Sequence, residues 1–595
     1  MPDKGQESQK KNEEKRSKNR QTQDEEAQRT SGTRDNHSSV LSNDSNELWT
    51  KTLTLNHVFA GPHGALVPGG MVDEDTVSIT STRTRTQLVL KRREEEEEPI
   101  DLETAILCTG HGFFQWKLAG ICGLIYACCS LSTTTLSFVL PAAQYDFNLN
   151  SVDKGVLNTA PLWGMVIGSY VWGNFADSRG RRFVLFWALL IDAMASFVSS
   201  FCQAYSVFYI VRMFNGFGII GATSIVFCYM GEFLDHDHRD RYLSRLEISW
   251  TMGIISLPLI GFAILPLDFT IGSKDEFVEY NSWRLFVFVC GIPTLCAAMM
   301  MLIMPESPRF LLLQGKLEKT RKVLAKMYAV NHRKTSDEFP IKVLDTHPEA
   351  DSYQYGSKGK RSCLKAVKET LVAIIKQHKA LFSGRSCVNI LLTCYIDFCL
   401  ISVYYTMMLW VPELLNREEK YYQEHPGRHP TLCEVSKMML DDKPKDHKIP
   451  ISTFVHTIIT CLACLPTTFA LLAIMPYVPK KVLMFGIMLC SAVPAVALAH
   501  VNSTPMTVAM LSTLKSMTNL AEAVLFCIVV EIFPITTRGT AMSFTVTLGR
   551  IGSVIGNIVF GAMIDRQCEQ LFYGMAVILV SAGLISLFLP KIKHH

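Results

Sequence analysis

The chain has 595 residues, of which 48% are hydrophobic and 19% are charged, and its mean hydropathy is +0.19. This composition excludes a single large soluble globule and predicts an integral, multi-pass membrane protein. The net charge is only +4, and the basic residues lie beside apolar stretches and in polar tails, so nucleic-acid binding is not expected.

A polar segment, residues 1–114, precedes the apolar stretches. It is rich in Ser, Glu, Lys, Gln and Arg, contains the acidic run Glu94–Glu98 and shows no apolar periodicity. Such a composition predicts a disordered tail that could bind cytosolic proteins. No charged-then-apolar signal sequence opens the tail, so the first membrane span is expected to direct insertion.

Twelve apolar runs of about twenty residues or more follow, the length at which a helix crosses roughly 30 Å of hydrocarbon. Backbone groups in lipid must pair internally, so each run is predicted to be a helix. The predicted spans are Lys117–Ala143, Lys154–Phe175, Arg182–Ala204, Tyr205–Leu234, Tyr242–Leu265, Trp283–Met304, Arg385–Leu415, Ile451–Pro476, Lys480–Val501, Pro505–Phe533, Thr540–Ile564 and Gln570–Leu589.

A long polar linker, residues 305–384, separates one six-helix half, residues 115–304, from another, residues 385–590. Within the linker, the amphipathic stretch Lys316–Leu324 predicts a helix near the cytosolic membrane surface. A second insertion, residues 416–450, separates the seventh span from the eighth. The predicted fold class is an all-α membrane protein with twelve transmembrane helices in two six-helix halves.

Basic residues in the short connections predict the orientation. They fall in alternate loops, which the positive-inside rule places in the cytosol. An even number of spans then puts both termini in the cytosol, residues 591–595 included, and the 416–450 insertion outside. The basic residues are Arg179, Arg181, Arg182, Arg239, Arg241, Arg245, Lys480, Lys481 and Arg538.

Cysteines are not expected to organise the fold, because most of the 18 lie inside spans, where thiols behave as small apolar residues. Cys202, Cys433 and Cys568 fall near the oxidising face. They allow at most one disulfide.

The connection between the second and third spans reads GNFADSRGRR. Asp177 lies at a helix end, where it can pair with Arg181 and oppose a positive helix N-terminus in the other half. Gly173 and Gly180 allow close packing and a tight turn. These residues predict a latch on the cytosolic side, and the alternative is that the arginines only set the topology.

This layout and GNFADSRGRR resemble the major facilitator superfamily and its signature between spans two and three. RMFNGFGIIG in the fourth span, MPESPRFLL after the sixth and EIFPITTRG after the tenth resemble further motifs of its sugar and organic-ion carriers. These matches, with YMGEFL after the fourth span, are taken to indicate gating residues. They are Gly173, Asp177, Gly180, Arg181, Arg182, Arg212, Glu232, Glu531 and Arg538.

Several more stretches resemble the synaptic vesicle glycoprotein 2 family and its transporter-like relatives. They include GHGFFQWKL before the first span, LSRLEISW in the fifth and SVYYTMMLWVPEL in the seventh. Members named for their glycans carry a large luminal domain with sequons between spans seven and eight, whereas Asn416–Pro450 is short and has none. The transporter-like relatives are therefore the better analogy, and they imply a vesicle or plasma membrane.

Polar residues at bilayer depth identify a candidate substrate site, because an ionisable group there costs a few kcal/mol and tends to face a cavity. In the tenth span, Lys515, Asn519 and Glu522 recur at three- and four-residue intervals and share a helix face. In the seventh span, Asp397 and Tyr404 share a face by the same count. Both stripes are predicted to line the central path.

Aromatic residues extend this candidate site. Trp250 lies about eight residues inside the fifth span and matches a tryptophan that the related family places at its central site. Together with Tyr404 and Tyr405 it can surround an organic cation by cation–π contact, and an interfacial anchor is the alternative. For Asp192 in the third span, a functional role and a buried acid paired within its own half both stay open.

These features predict an alternating-access carrier of a small organic ion. Asp397 and Glu522 favour a cation, whereas a Lys515 that neutralises one acid would leave a cavity suited to a zwitterion. A non-transporting scaffold that acts through its tail and linker, and a sugar-porter-like carrier, also stay open. The loops contain no nucleotide loop, metal cluster or nucleophile triad, so neither enzymatic activity nor a cofactor or metal is expected.

Overall fold

The computed structural model describes residues 100–268, 270–272, 279–345, 382, 385–428, 430–441, 449–467, 469, 477–533 and 535–590. All of them belong to one unit, Val89–His595. The predictions for the tail before residue 100, for most of the linker after residue 345 and for residues 591–595 lie outside the described residues.

The first half is helical apart from one short hairpin. Its first predicted span is two helices that meet at Thr135, and Asn150 caps the second span by accepting a hydrogen bond from the Asp153 N–H at 2.9 Å. Strands β1 (Thr270–Ile271) and β2 (Tyr280–Asn281) are antiparallel, with Thr270 opposite Asn281. The helices are α1 (Leu102–Cys108), α2 (Phe113–Thr134), α3 (Leu136–Ala143), α4 (Ser151–Arg179), α5 (Arg181–Ser200), α6 (Tyr205–Gly231), α7 (His236–Ile264) and α8 (Ser282–Met301).

The linker and the second half are also helical where they are described. The linker contributes α9 (Pro308–Leu313), α10 (Leu317–His332) and a 3₁₀ turn, Ser336–Glu338. Helix α10 confirms the predicted amphipathic helix. The second half consists of α11 (Arg385–Glu424), α12 (Leu432–Asp441), α13 (Ile451–Leu462), α14 (Lys480–Ala497), α15 (Thr504–Ile532), α16 (Ile535–Met563) and α17 (Cys568–Ser586).

Nine helices in the described part of the chain are long and apolar enough to cross a membrane. The other three predicted spans correspond to α4 and α15, which are 29 residues each, and to α13, whose apolar stretch Ile451–Thr467 is shorter. The all-α membrane fold class is therefore confirmed, and the count of twelve spans stays a prediction.

Each half has its own apolar core. The core of the first half also takes in Tyr404, Tyr405 and Met408 of α11, so the halves share apolar contacts at the predicted candidate site. Large apolar side chains such as Val493 and Val577 stay exposed, each at 67%, as expected for helices surrounded by lipid.

The segment before the first span is ordered from Ile100 onward, although the predicted disordered tail extends to residue 114. Asp101 caps α1 by accepting a hydrogen bond from the Glu103 N–H at 2.9 Å, and Ala105 is fully buried. Ile100 forms a parallel bridge with Leu344 of the linker. Residues 100–114 thus differ from a disordered tail, because this short apolar stretch is covered by the linker.

The insertion between spans seven and eight is largely helical in its described residues. Helix α11 continues to Glu424, beyond the predicted span end at Leu415, and α12 lies inside the insertion. A disulfide joins Cys433 of α12 to Cys568 at the start of α17, while Cys202 is a free, buried thiol. The prediction of at most one disulfide is confirmed.

Candidate substrate site

Helices α7, α11, α15 and α16 bring four charged side chains together at the centre of the bundle. These side chains are close enough to interact electrostatically. Arg550 interacts with Asp397 and with Glu522, and Glu522 interacts with Glu247. Glu247 belongs to the first half, and the other three belong to the second. The arrangement places three carboxyl groups and one guanidinium where the halves meet.

The guanidinium of Arg550 lies over an aromatic ring. Its Cζ atom is 4.2 Å from the ring centroid of Tyr405, and the rings of Tyr404 and Tyr405 are perpendicular, with centroids 5.2 Å apart. The Nε and Nη1 groups of Arg550 are buried and have no hydrogen-bond partner in the described part of the chain. The ring therefore holds the guanidinium by cation–π contact and leaves donors free.

Asp397 is 1% exposed, and neither of its carboxyl oxygens has a hydrogen-bond partner within the described residues. Its Oδ2 atom lies against Gly549 of α16, where an added Cβ would come within 2.2 Å of it. Only glycine allows α16 to approach the carboxyl group this closely.

The first half contributes an aromatic wall. The rings of Tyr126 and Trp250 have centroids 4.9 Å apart, and Tyr404 of the second half lies beside Trp250. Ser130 of α2 donates a hydrogen bond to the Trp250 carbonyl oxygen at 2.8 Å, which joins α7 to α2. The structure thus brings together Trp250, Tyr404 and Tyr405 from the predicted site.

Glu247 is a site residue that was not predicted from the sequence. Its side chain is exposed, yet its electrostatic neighbours are Tyr126 and Glu522 on other helices. A lipid-facing carboxyl group would have no such neighbours, so Glu247 faces a space between the halves. Glu247 lies three residues before Trp250, so both are on one helix face. This spacing is the sequence feature that could have identified Glu247 as a site residue.

Lys515 does not meet Glu522, although both lie on the predicted stripe of α15. Lys515 is 3% exposed, and its Nζ atom is 3.5 Å from Cys461 Sγ on α13. The base beside Glu522 is Arg550, from the eleventh predicted span. The sequence feature that could have identified Arg550 as a site residue is that it is a basic residue within an apolar run. Asn519 is half-buried on the same helix.

Buried charges also join the halves at the end of the bundle that the orientation prediction places outside. Lys154 of α4 forms an ion pair with Glu413 of α11. Arg417, one turn further along α11, donates hydrogen bonds to Glu413 at 2.9 Å, to Asp565 at 2.8 Å and to Ser151 at 2.7 Å. We call these five residues the outer cluster.

The backbones of α4 and α16 meet beside the outer cluster. A Cβ added to Gly155 would lie 2.6 Å from the Asn557 carbonyl oxygen. The outer cluster lines a cavity of about 110 Å³ together with Gln144 and Asn416. These contacts close the outer end of the bundle in this conformation.

Several predicted gating residues meet at the opposite end, which the orientation prediction places in the cytosol. Arg181 Nε is 3.2 Å from Glu232 Oε1, and burial raises the pKa of Glu232 despite this arginine. Gly180 has a φ of +107°, and a Cβ on it would lie 2.3 Å from Glu306 Oε2. The Arg182 N–H donates a hydrogen bond to Glu306 Oε1 at 3.0 Å. These contacts lie within the first half and its linker.

The predicted latch partners of this group are only partly described. The side chains of Asp177 and Arg538 lie outside the described residues. An added Cβ on Gly173 would meet no described atom within 4 Å, so the predicted close packing is not present in this conformation. Glu531 pairs with Lys480 inside the second half.

Arg212 lies away from the cytosolic group, in the interior of the first half. Its Nη1 is 3.4 Å from Asn215 Oδ1, and Asn215 donates hydrogen bonds to Asp192 and to Ser196 Oγ. Asp192 is fully buried. Asp192 thus has a hydrogen-bond partner within its own half, as one of its two predicted roles requires.

Comparison with known proteins agrees with this architecture. The family model described as Major Facilitator Superfamily matches residues 122–423, just over half of the chain. The chain is 33% identical to synaptic vesicle glycoprotein 2B of Mus musculus over 332 residues, 54% of this chain and 48% of that protein. It is 25% identical to synaptic vesicle glycoprotein 2C of Mus musculus over 587 residues, 81% of this chain and 79% of that protein. The first match thus spans about half the length of its relative.

Solved structures share the fold at low sequence identity. The partially occluded inward open conformation of the xylose transporter XylE from E. coli superposes with a TM-score of 0.57 and 16% identity, covering 81% of this chain and 99% of that chain. The inward open conformation of the same transporter superposes with a TM-score of 0.56 and 17% identity, covering 80% of this chain and 97% of that chain. The resemblance predicted from the motifs is confirmed: the chain is a multi-pass membrane protein that belongs to the Major Facilitator Superfamily of transporters.

Proposed function

We propose that this protein is a secondary carrier of a small organic cation, bound between the halves at the centre of the bundle. The observation that carries the proposal is the charge at this point: Glu247, Asp397 and Glu522 face a single base, Arg550. Unbalanced acids at bilayer depth are costly unless a cation neutralises them.

The aromatic wall supports the same substrate class. Trp250 and Tyr126 lie beside the acids, and π faces attract cations most strongly where water is excluded. Tyr404 adds a second ring from the other half. A cation held here would touch both halves, which is the requirement for a carrier whose halves rock about one central site.

The closed outer end supports alternating access. The outer cluster and the Gly155 contact join the halves at that end, while Glu247 stays exposed and no described atom lies within 4 Å of a Cβ added to Gly173. This arrangement corresponds to an inward-facing state, from which breaking the outer contacts would expose the site to the other side.

Ligand-induced thermal stabilisation of the detergent-purified full-length protein tests the proposal. Choline and tetraethylammonium are the cationic probes, and xylose and lactate are the neutral and anionic controls. A cation should raise the melting temperature, since a ligand that binds only the folded state stabilises it by mass action. E522Q and E247Q should abolish this rise, and E434Q on the exposed side of α12 should keep it.

Two results would contradict the cation proposal. Stabilisation by xylose alone would favour a sugar-porter-like carrier. No stabilisation by any probe, combined with capture of soluble proteins by the tail, would favour the scaffold.

We also propose a vesicle or plasma membrane location with both termini and the linker in the cytosol. The alternation of basic loops supports this orientation. Protease digestion of sealed vesicles carrying terminal tags tests it: tags cut only from the cytosolic side agree with the proposal, and a tag cut from the luminal side contradicts it.

A further inference from the structure

Arg550 has buried N–H groups that form no hydrogen bond to the neighbouring acids among the described residues. A guanidinium that serves only as a counter-charge would donate hydrogen bonds to the carboxyl groups beside it. Here the Nε and Nη1 groups of Arg550 are buried and have no hydrogen-bond partner among the described residues. Both carboxyl oxygens of Asp397 are likewise buried without such a partner. The arginine and its nearest acids therefore attract one another without direct contact.

Tyr405 holds the guanidinium in this position. The ring centroid lies 4.2 Å from Cζ, and the Tyr405 side chain also hydrogen-bonds to the guanidinium, whereas Nε and Nη1 have no partner among the described residues. At Gly549, α16 packs closely against the carboxyl group of Asp397 on α11. Arg550 therefore keeps two N–H groups without a partner among the described residues, and guanidinium N–H groups donate their strongest hydrogen bonds to the oxygens of a carboxylate.

The neighbouring groups determine what else such a ligand carries. Glu247 is exposed to the space between the halves, and Glu522 is half-buried beside Arg550. These two acids, with Trp250 nearby, attract an ammonium group. One ligand spanning the site would therefore place its cationic end at the two acids and an anionic end at Arg550.

We propose that the transported cation also bears a carboxylate, as in amino-acid-like or betaine-like molecules, and that Arg550 binds this carboxylate and determines specificity. The inference rests on the proposed function, because it uses the same central site. It adds a second recognition point, which a simple amine would leave empty.

Choline and glycine betaine form the matched probe pair, because they share the trimethylammonium group and differ in the carboxylate. Affinities are measured with the full-length protein by titrated thermal stabilisation. The wild type should bind betaine at least about tenfold more tightly than choline, since a site built to hydrogen-bond a group rejects the analogue that lacks it.

Two substitutions separate recognition from neutralisation. R550K keeps the charge but loses the planar fork, and R550Q loses both. R550K should remove the preference for betaine and still bind choline, whereas R550Q should remove the preference and bind choline more tightly than the wild type, because it takes a positive charge away from the acids. R566K, an exposed arginine between α16 and α17, is the control and should retain the preference.

The remaining outcomes overturn the inference. If R550K and R550Q weaken both probes equally, Arg550 is only a counter-charge, and the proposed cation carrier still stands. If the wild type prefers choline, no carboxylate is recognised. If neither choline, tetraethylammonium nor betaine stabilises the wild type, the proposed function itself fails, which is a different result from equal binding of choline and betaine.

Discussion

Lys154 of α4 and Glu413 of α11 form an ion pair between the two halves, and each side chain is only 2% exposed. The carboxyl group of Glu413 also accepts a hydrogen bond from Arg417 at 2.9 Å. Glu413 is thus the acid that two buried cations share. We expect an acid in this position to control whether the outer end stays closed.

Replacing Glu413 by Gln should open the outer end. The change keeps the side-chain shape and leaves Lys154 buried without its partner, which typically costs about 3–5 kcal/mol. Asn158, one turn inside Lys154 on the same helix and fully buried, is a suitable reporter position. In an N158C background, E413Q should increase labelling by a membrane-impermeant maleimide from the outer side.

The control for this experiment is E434Q in the same N158C background, because Glu434 lies on α12 without joining the halves. Equal labelling of N158C with and without E413Q would show that the ion pair does not close the outer end. The double variant K154Q/E413Q should recover part of the lost stability, since it leaves no uncompensated lysine.

Gly549→Ala should disrupt the central site. Its Cβ would lie 2.2 Å from Asp397 Oδ2, so α11 and α16 would have to separate. Overpacking of this kind costs about 1–3 kcal/mol, and the melting temperature and cation binding should both fall. G486A and G574A are matched controls, because an added Cβ at either position meets nothing within 4 Å. A G549A variant as stable as these controls would contradict the close approach.

His111 should make stability depend on pH. Burial, helped by His238, lowers the pKa of His111 below its ordinary value of 6.5, so the folded protein favours the neutral ring. Its Nε2 lies 2.9 Å from the Tyr242 hydroxyl, and its ring stacks on His238 with centroids 4.5 Å apart. Both contacts anchor the segment before α2 to α7.

The sign follows from proton binding. A lowered histidine pKa means that the unfolded state binds the proton more tightly, so this contribution is present above pH 6.5 and is lost as pH falls through the folded pKa. Melting temperatures measured from about pH 7.5 down to about 5.0 should fall more steeply for the wild type than for H111Q. Parallel curves would show that His111 does not contribute.

The Cys433–Cys568 disulfide should stabilise the outer part of the second half. It links residues 135 positions apart and ties α12 to the turn that carries Asp565. Its removal in C433S/C568S should cost about 2–5 kcal/mol. Reductant should lower the melting temperature of the wild type and leave that of the double variant unchanged. An equal response of both proteins to reductant would mean that the bond is not the sensitive element.

Local patterns in the sequence predicted the helices well. Apolar runs such as Trp283–Met304 are long enough to span hydrocarbon, and the amphipathic stretch Lys316–Leu324 became part of α10. Both depend on residues close together in the chain, where helix periodicity is visible. Resemblance to related carriers placed Trp250 at the candidate site, and in the structure Trp250 lies beside Tyr404.

Contacts between distant residues were decided by the tertiary structure. The sequence placed Lys515 and Glu522 on one stripe, but packing of α13 turned Lys515 toward Cys461, and α16 supplied Arg550 instead. Glu413 meets Lys154 across 259 positions of the chain. No local pattern encodes such a partner, because the helix that provides it is selected by how the two halves pack.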